Sequence, residues 1–250
     1  MGVVLAVWRV LCGVCRVLEG AVICAVVFPF LKPPQRLQSV GRWSARMLRS
    51  LGIALHTTGE PRHGATLLVA NHISWLDILA INAVHPARFV SKADVRGWPL
   101  LGWLVACGGT LFIERERKRD AMRVVHQVAD ALASGDTVAV FPEGTTSDGH
   151  ALLPFHANLL QAAIATETPV QPVALHFCDA QHAVSPAAAY VGDTSLVQSL
   201  WWVVNARGLR VHVTWLPALG SRHLDRRALA GHLRSQIEQT LSVTEYRSAA

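Results

Sequence analysis

An α/β domain with a largely parallel or mixed sheet flanked by helices, preceded by a membrane-associated pair of N-terminal helices, is the architecture this 250-residue sequence predicts. Three observations lead there. From residue 60 onward, short β-branched apolar runs alternate with stretches of helical periodicity, as in a sheet whose strands are joined by helices. The first 58 residues differ in charge: Arg9, Arg16, Lys32, Arg36, Arg42, Arg46 and Arg49 face Glu19 alone, so the whole net charge of +6 sits there. Finally, no linker, internal repeat or low-complexity tract divides the rest of the chain. The expected organisation is therefore membrane-associated helices over 1–58 and one catalytic-sized domain over 59–250.

The N-terminal part is justified by its mixture of charge and apolar surface. Hydrophobic residues make up 51% of the chain, charged residues 16%, and the mean hydropathy is +0.31. That is apolar for a soluble protein and too little for a multi-span transporter. The longest clean apolar run, 20–31, suits a re-entrant or interfacial segment, because Arg9, Arg16 and Glu19 interrupt the longer stretch. Lys32-Pro33-Pro34 breaks it. A second helix is expected over 35–51, with Arg42, Arg46 and Arg49 on one face. Such a basic amphipathic helix can lie on a bilayer with its arginines toward phosphates, or serve as a domain helix with a solvated stripe. Basic charge interleaved with apolar surface fits an anionic membrane rather than nucleic acid. No basic residue precedes the apolar stretch and no A-x-A-like site follows, so a secretory signal peptide is not expected. Five cysteines without framework spacing read as reduced, inert thiols, and no metal-ligand cluster stands out.

In the second part, strands are expected over 66–70, 88–90, 110–113, 137–141, 170–175 and 209–216. Helices are expected over 75–84, 119–133 and 158–166. A last helix over 225–241 carries Leu229, Leu233, Ile237 and Leu241 at spacings of four, a packing stripe.

The first chemical block is NHISWLD, 71–77, directly after the apolar run TLLVA. Residues five apart on one helix lie about 140° apart, so His72 and Asp77 can meet only if the strand ends in a turn before the helix. Ser74 then becomes the N-cap and Asp77 falls at N3. S-x-x-D also reads as a capping box, in which Asp77 does no more than hold backbone N–H groups. The alternative is catalytic. The carboxyl end of a strand is where open α/β sheets place ligands. A neutral imidazole there can accept a hydroxyl proton near pH 7, with a carboxylate fixing its tautomer. No G-x-S-x-G elbow supplies a protein nucleophile. The substrate's own hydroxyl is then the nucleophile, which is the logic of an acyltransferase and not of a hydrolase.

Three further blocks follow. GGTLFIER, 108–115, delivers Arg115 at a strand end before a charged run. FPEGTTSDG, 141–149, is a strand-ending turn with Glu143 in it. VQPVAL, 170–175, is a buried strand with Pro172 at a bend or edge. In this order, N-H-x4-D, F-I-x-R, F-P-E-G-T and the V-x-P-V-A-like strand resemble the glycerolipid acyltransferases, the lysophosphatidic acid acyltransferase (PlsC-like) family; SKADVRGWPLLG, 91–102, does so too. The resemblance implies a glycerolipid acyltransferase-type single domain in which His72 is the general base and Asp77 its partner. It implies that Arg115, Glu143 and Gly144, with Thr145 of the same block and Lys92, form the acceptor site. It implies a lysolipid acceptor, with 1-acyl-sn-glycerol 3-phosphate the default and lyso-ornithine lipid the main rival. Acyl-CoA or acyl-ACP is the implied co-substrate, with no metal or other cofactor. The implied setting is among membrane lipids, at the cytoplasmic face of the inner (plasma) membrane.

One residue departs from the pattern: Thr146 stands where many lysophosphatidic acid enzymes carry arginine. A non-catalytic membrane-surface lipid-binding protein is the alternative from another class, and the intact His72–Asp77 pair argues against it. A nucleotide-dependent enzyme lacks support, since neither G-x-G-x-x-G nor a G-K-[ST] loop occurs.

Overall fold

The computed structural model describes residues 2–113 and 118–249, by backbone alone at 118–121 and 244–249. Helices α1 (Val3–Val22) and α2 (Pro33–Ser50) come first, followed by β1 (Ala54–Thr58), β2 (Thr66–Ala70), α3 (Leu76–Val84), β3 (Arg88–Lys92), α4 (Leu101–Cys107), β4 (Leu111–Ile113) and α5 (Lys118–Ala133). The chain continues through β5 (Thr137–Val140), α6 (Leu160–Ala165), β6 (Val170–Cys178), α7 (Leu196–Asn205), β7 (Arg210–Trp215) and α8 (Arg226–Ala249). The seven strands form one sheet in the order β1-β7-β6-β2-β5-β3-β4. Five run parallel; β7 is antiparallel to β6 and carries β1 parallel to itself, so the sheet is mixed.

The fully buried β2 explains the layers. Leu68 and Ala70 face a core shared with Met47 and Leu48 of α2, Leu51 just past it, Leu76 and Ala80 of α3, and Val203 and Val204 of α7. Leu67 and Val69 face Val124, Val128 and Leu132 of α5, Leu160 of α6, and Leu229 and Leu233 of α8. A strand covered on both faces has no reason to alternate with polar residues, which is why TLLVA reads as a continuous run.

The N-terminal segment differs from the short apolar run expected. α1 continues through a π turn (Ile23–Val27) and a 3-10 turn (Phe28–Phe30), giving a 28-residue apolar rod. At 1.5 Å per residue it is about 42 Å long. Its charges do not interrupt it, because they lie on the protein side. Arg9 Nη1 donates to Val204 O (3.0 Å), Arg16 pairs with Glu19 (2.5 Å), and Arg46 of α2 pairs with Glu19 (2.8 Å). Val4, Trp8, Leu11, Val14, Leu18 and Val22 remain exposed. α2 follows against it, with Trp43 Nε1 donating to Arg16 O at 2.7 Å.

Three elements were not expected. β1 is an exposed edge strand with little apolar signal, and it belongs to the sheet although it precedes residue 59. α4 and α7 are the other two. Pro172 is not at an edge: β6 pairs with β2 and β7 on its two sides. The sheet accommodates it through a neighbour. Leu216 N–H donates to Pro172 O (3.1 Å), and the Leu216 carbonyl, opposite a residue with no N–H, is taken by Gln171 Nε2 (2.9 Å).

Candidate active site

β2 and β5 are neighbours and parallel, so the segments leaving their carboxyl ends, Asn71-His72 and Phe141-Pro142-Glu143, emerge side by side. Asn71 continues the ladder where β2 stops: its Nδ2 donates to Leu175 O (2.9 Å) and its Oδ1 accepts from Leu175 N (2.8 Å). The next residue is thereby set at a fixed exit from the sheet.

His72 is held from several directions. Its Nδ1 lies 2.7 Å from Asp77 Oδ2. Its backbone N–H donates to Glu143 Oε1 (2.7 Å), and its carbonyl accepts from Ser147 N (2.8 Å) and Ser147 Oγ (3.2 Å). Its ring stacks on Phe141 at 3.9 Å between centroids and 9° between planes. With Nδ1–H committed to the carboxylate, Nε2 is the basic nitrogen of this tautomer. The side chain keeps 19% of its surface exposed, while Asp77 has none.

Asp77 does both jobs the sequence offered. Its Oδ2 accepts from Ile73 N (2.7 Å) and Ser74 N (2.9 Å) as well as facing His72, so one oxygen turns the chain and orients the ring. The expected cap is corrected. α3 starts at Leu76 with Trp75 as its N-cap and no side-chain cap bond, and the buried Ser74 Oγ has no partner. The N–H that a capping serine would serve, that of Asp77, donates to the Ser74 backbone carbonyl instead (3.1 Å).

Glu143 is 3% exposed, and both its oxygens are occupied, Oε1 by His72 N–H and Oε2 by Leu153 N–H (2.9 Å). Burial pushes its carboxyl above the usual range, opposed by those two N–H donors. Arg234 of α8 fastens the same segment, donating to Leu152 O (2.9 Å) and Leu153 O (3.3 Å). Glu143 is thus joined to His72 as a brace. Gly144 follows at φ 73°, and its N–H closes the turn on Phe141 O (3.1 Å).

Thr145 is exposed. Thr146 Oγ1 donates to Tyr190 O, and Tyr190 N–H donates to Ile73 O (3.0 Å), so Thr146 ties the 190 segment to the site. Lys92 is exposed at the carboxyl end of β3, paired with Ile113 at the end of β4. Exposed Arg96 stands close by, its guanidinium 5.8 Å from the Phe112 ring. Arg115 lies outside the described residues. Sequence reasoning missed Asn71, Phe141, Ser147 and Arg234; only Asn71 and Phe141 carry a local signal, as the residues flanking strand ends.

The arrangement, a basic nitrogen with its partner nitrogen held by a buried carboxylate, is of the kind that can activate a hydroxyl. Among the described residues, Ser147 Oγ donates to a carbonyl and Ser74 Oγ is buried, so neither serine hydroxyl is bonded to the His72 ring.

A family model described as Acyltransferase matches residues 53–176, from just before β1 into β6. The lyso-ornithine lipid O-acyltransferase of Pseudomonas aeruginosa is 36% identical over 209 residues, covering 83% of this chain and 80% of that protein. The 1-acyl-sn-glycerol-3-phosphate acyltransferase of Neisseria meningitidis is 34% identical over 213 residues, covering 84% and 83%. The crystal structure of the 1-acyl-sn-glycerophosphate (LPA) acyltransferase PlsC from Thermotoga maritima superposes with a TM-score of 0.73 at 18% identity, covering 96% of this chain and 94% of that one.

Proposed function

The chain belongs to the acyltransferase family, and from that membership we propose that it is a lysolipid O-acyltransferase with His72 as general base. The observation that carries the proposal is the 2.7 Å His72 Nδ1–Asp77 Oδ2 contact at the carboxyl ends of β2 and β5, without a serine on the ring. His72 Nε2 takes the proton as the lysolipid oxygen attacks the thioester carbonyl of acyl-CoA or acyl-ACP. The new C–O bond forms, the tetrahedral intermediate collapses, and the C–S bond breaks. The thiolate then takes the proton back from the imidazolium, which the buried Asp77 carboxylate stabilises in the interval.

The proposed acceptor is 1-acyl-sn-glycerol 3-phosphate, the substrate in the name of the Neisseria relative. Lys92 and Arg115 are the cations proposed to meet its phosphate, and Gly144 and Thr145 are proposed to line the same acceptor site. A second reading, lyso-ornithine lipid, is favoured by Thr146: its hydroxyl is spent on Tyr190 O, and no arginine stands there to meet a phosphate. The exposed apolar side of α1 and the basic first quarter of the chain support residence in an anionic membrane, proposed to be the cytoplasmic face of the inner membrane.

The test incubates purified protein with labelled acyl thioester and a panel of lysolipids, followed by product identification. His72→Ala should abolish transfer in a folded protein, and near-normal turnover would refute the assignment. Lys92→Ala and Arg115→Ala should raise KM strongly for a phosphate acceptor and little for lyso-ornithine lipid.

A further inference from the structure

α7 exposes apolar side chains that the chemistry does not use. Val197 is 78% exposed, Trp201 46% and Trp202 38%, and the loop before the helix exposes Val191 at 38%. Positions 197, 201 and 202 fall within an arc of about 140° that also carries exposed Gln198, while Ser199, Val203 and Val204 are buried. α7 packs against α1, where Arg9 reaches across to Val204 O (3.0 Å) and Ala206 O (3.4 Å). α1 and α7, each with exposed apolar side chains, are therefore neighbours. Arg207, just past the helix, is exposed and adds positive charge. α7 also touches the catalytic segment. Trp75 Nε1 donates to Ser199 Oγ (3.1 Å), and the loop before α7 bonds through Tyr190 N–H to Ile73 O, next to His72.

We infer that Val191, Val197, Trp201 and Trp202 form a second bilayer-contacting surface, which seats the His72 mouth at the lipid–water boundary. This rests on the membrane residence proposed above. The occupant is the headgroup region of an anionic bilayer. Paired tryptophans favour that depth because an apolar ring and a polar N–H are both satisfied there. Charge complementarity points the same way, through Arg207 and the basic N-terminal quarter. A lysolipid embedded in the same leaflet would then present its hydroxyl at the level of Nε2.

The test uses full-length protein with vesicles of phosphatidylcholine and phosphatidylglycerol, some carrying bromine-labelled acyl chains. The conservative pair Trp201→Phe/Trp202→Phe should lose part of the fluorescence that bromolipid quenches in the wild type. Equal quenching of both proteins overturns the inference. Val197→Ser/Trp201→Ser should raise KM severalfold for a lysolipid presented in vesicles and leave turnover of a short-chain, water-soluble acceptor unchanged. An unchanged vesicle KM overturns it, as does a wild-type dimer in detergent that the serine variant splits, which would assign the face to a second copy. Wild-type protein that fails to float with vesicles overturns the membrane reading itself. Failure to acylate any lysolipid instead refutes the acyltransferase reading and leaves the quenching result standing.

Discussion

At the scale of single residues, the site concentrates its demands on two carboxylates. Asp77 Oδ2 meets His72 Nδ1 and two backbone N–H groups, while its buried Oδ1 has no partner. Asp77→Asn keeps the shape and removes the charge, and its amide can present N–H where Oδ2 accepts. By analogy with the carboxylate of serine-protease triads, the loss should be about 10⁴-fold in kcat; steady-state rates on a variant with unchanged circular dichroism would check it. Glu143→Gln leaves one of the two N–H donors, His72 or Leu153, facing an amide N–H. The expected cost is about 1–3 kcal/mol of stability with a fall in kcat, measured by thermal unfolding alongside turnover. The sequence made His72 and Asp77 legible through their spacing after an apolar run. It set holding the backbone and orienting the ring as alternatives, whereas one oxygen of Asp77 performs both. That choice depends on how the Ile73–Ser74 backbone turns, which no side-chain pattern records.

At the scale of elements, the strands carry a row of histidines that the chemistry does not use. His56, His212 and His176 lie side by side across β1, β7 and β6, with ring centroids 5.0 Å and 6.2 Å apart. Burial first, then the charge of His212, holds His176 below the usual imidazole range, against a backbone hydrogen bond with Ala183 that raises it. Burial, His56 and Arg210 do the same to His212, and burial with His63 does so to His85. At these three histidines the folded chain thus binds fewer protons than the unfolded chain just below pH 6.5. The stability these groups contribute is complete above that pH and is lost as pH falls through their depressed values. The unfolding temperature should be lower at about pH 5.5 than at about pH 7.5, since ordinary imidazole titrates between them. His176→Gln should reduce the difference; a flat profile in the wild type would contradict the argument. Helix packing supplies a second prediction. A Cβ on Gly41 of α2 would come 2.7 Å from Pro86 Cγ and 2.9 Å from Asn82 O at the end of α3. Gly41→Val should therefore separate α2 from α3 and cost about 1–3 kcal/mol, read as a lower unfolding temperature.

At the scale of the whole molecule, the N-terminal helices are part of the catalytic body. Ala6, Met47, Leu48 and Leu51 belong to the same buried cluster as the sheet face beneath them. Full-length protein should fractionate with membranes and be released by detergent, not by high salt, because its apolar contact is not screened by ions. Release by salt alone would leave only the charged contact. The sequence by itself determined the alternation of strands and helices, the buried character of β2, β5 and β6, and the His72–Asp77 pair. Each is written in local periodicity or in a fixed short spacing. It left α1 looking like an interrupted run, β1 looking like part of the helical region, and Pro172 looking like a bend or edge residue. Tertiary structure decided those three. The charges of α1 find partners on α2 and α7, β1 gains its ladder from a strand more than 150 residues away, and Gln171 satisfies the carbonyl opposite Pro172. Their partners lie far away in the sequence or in a loop with no periodic pattern, so only folding brings them together.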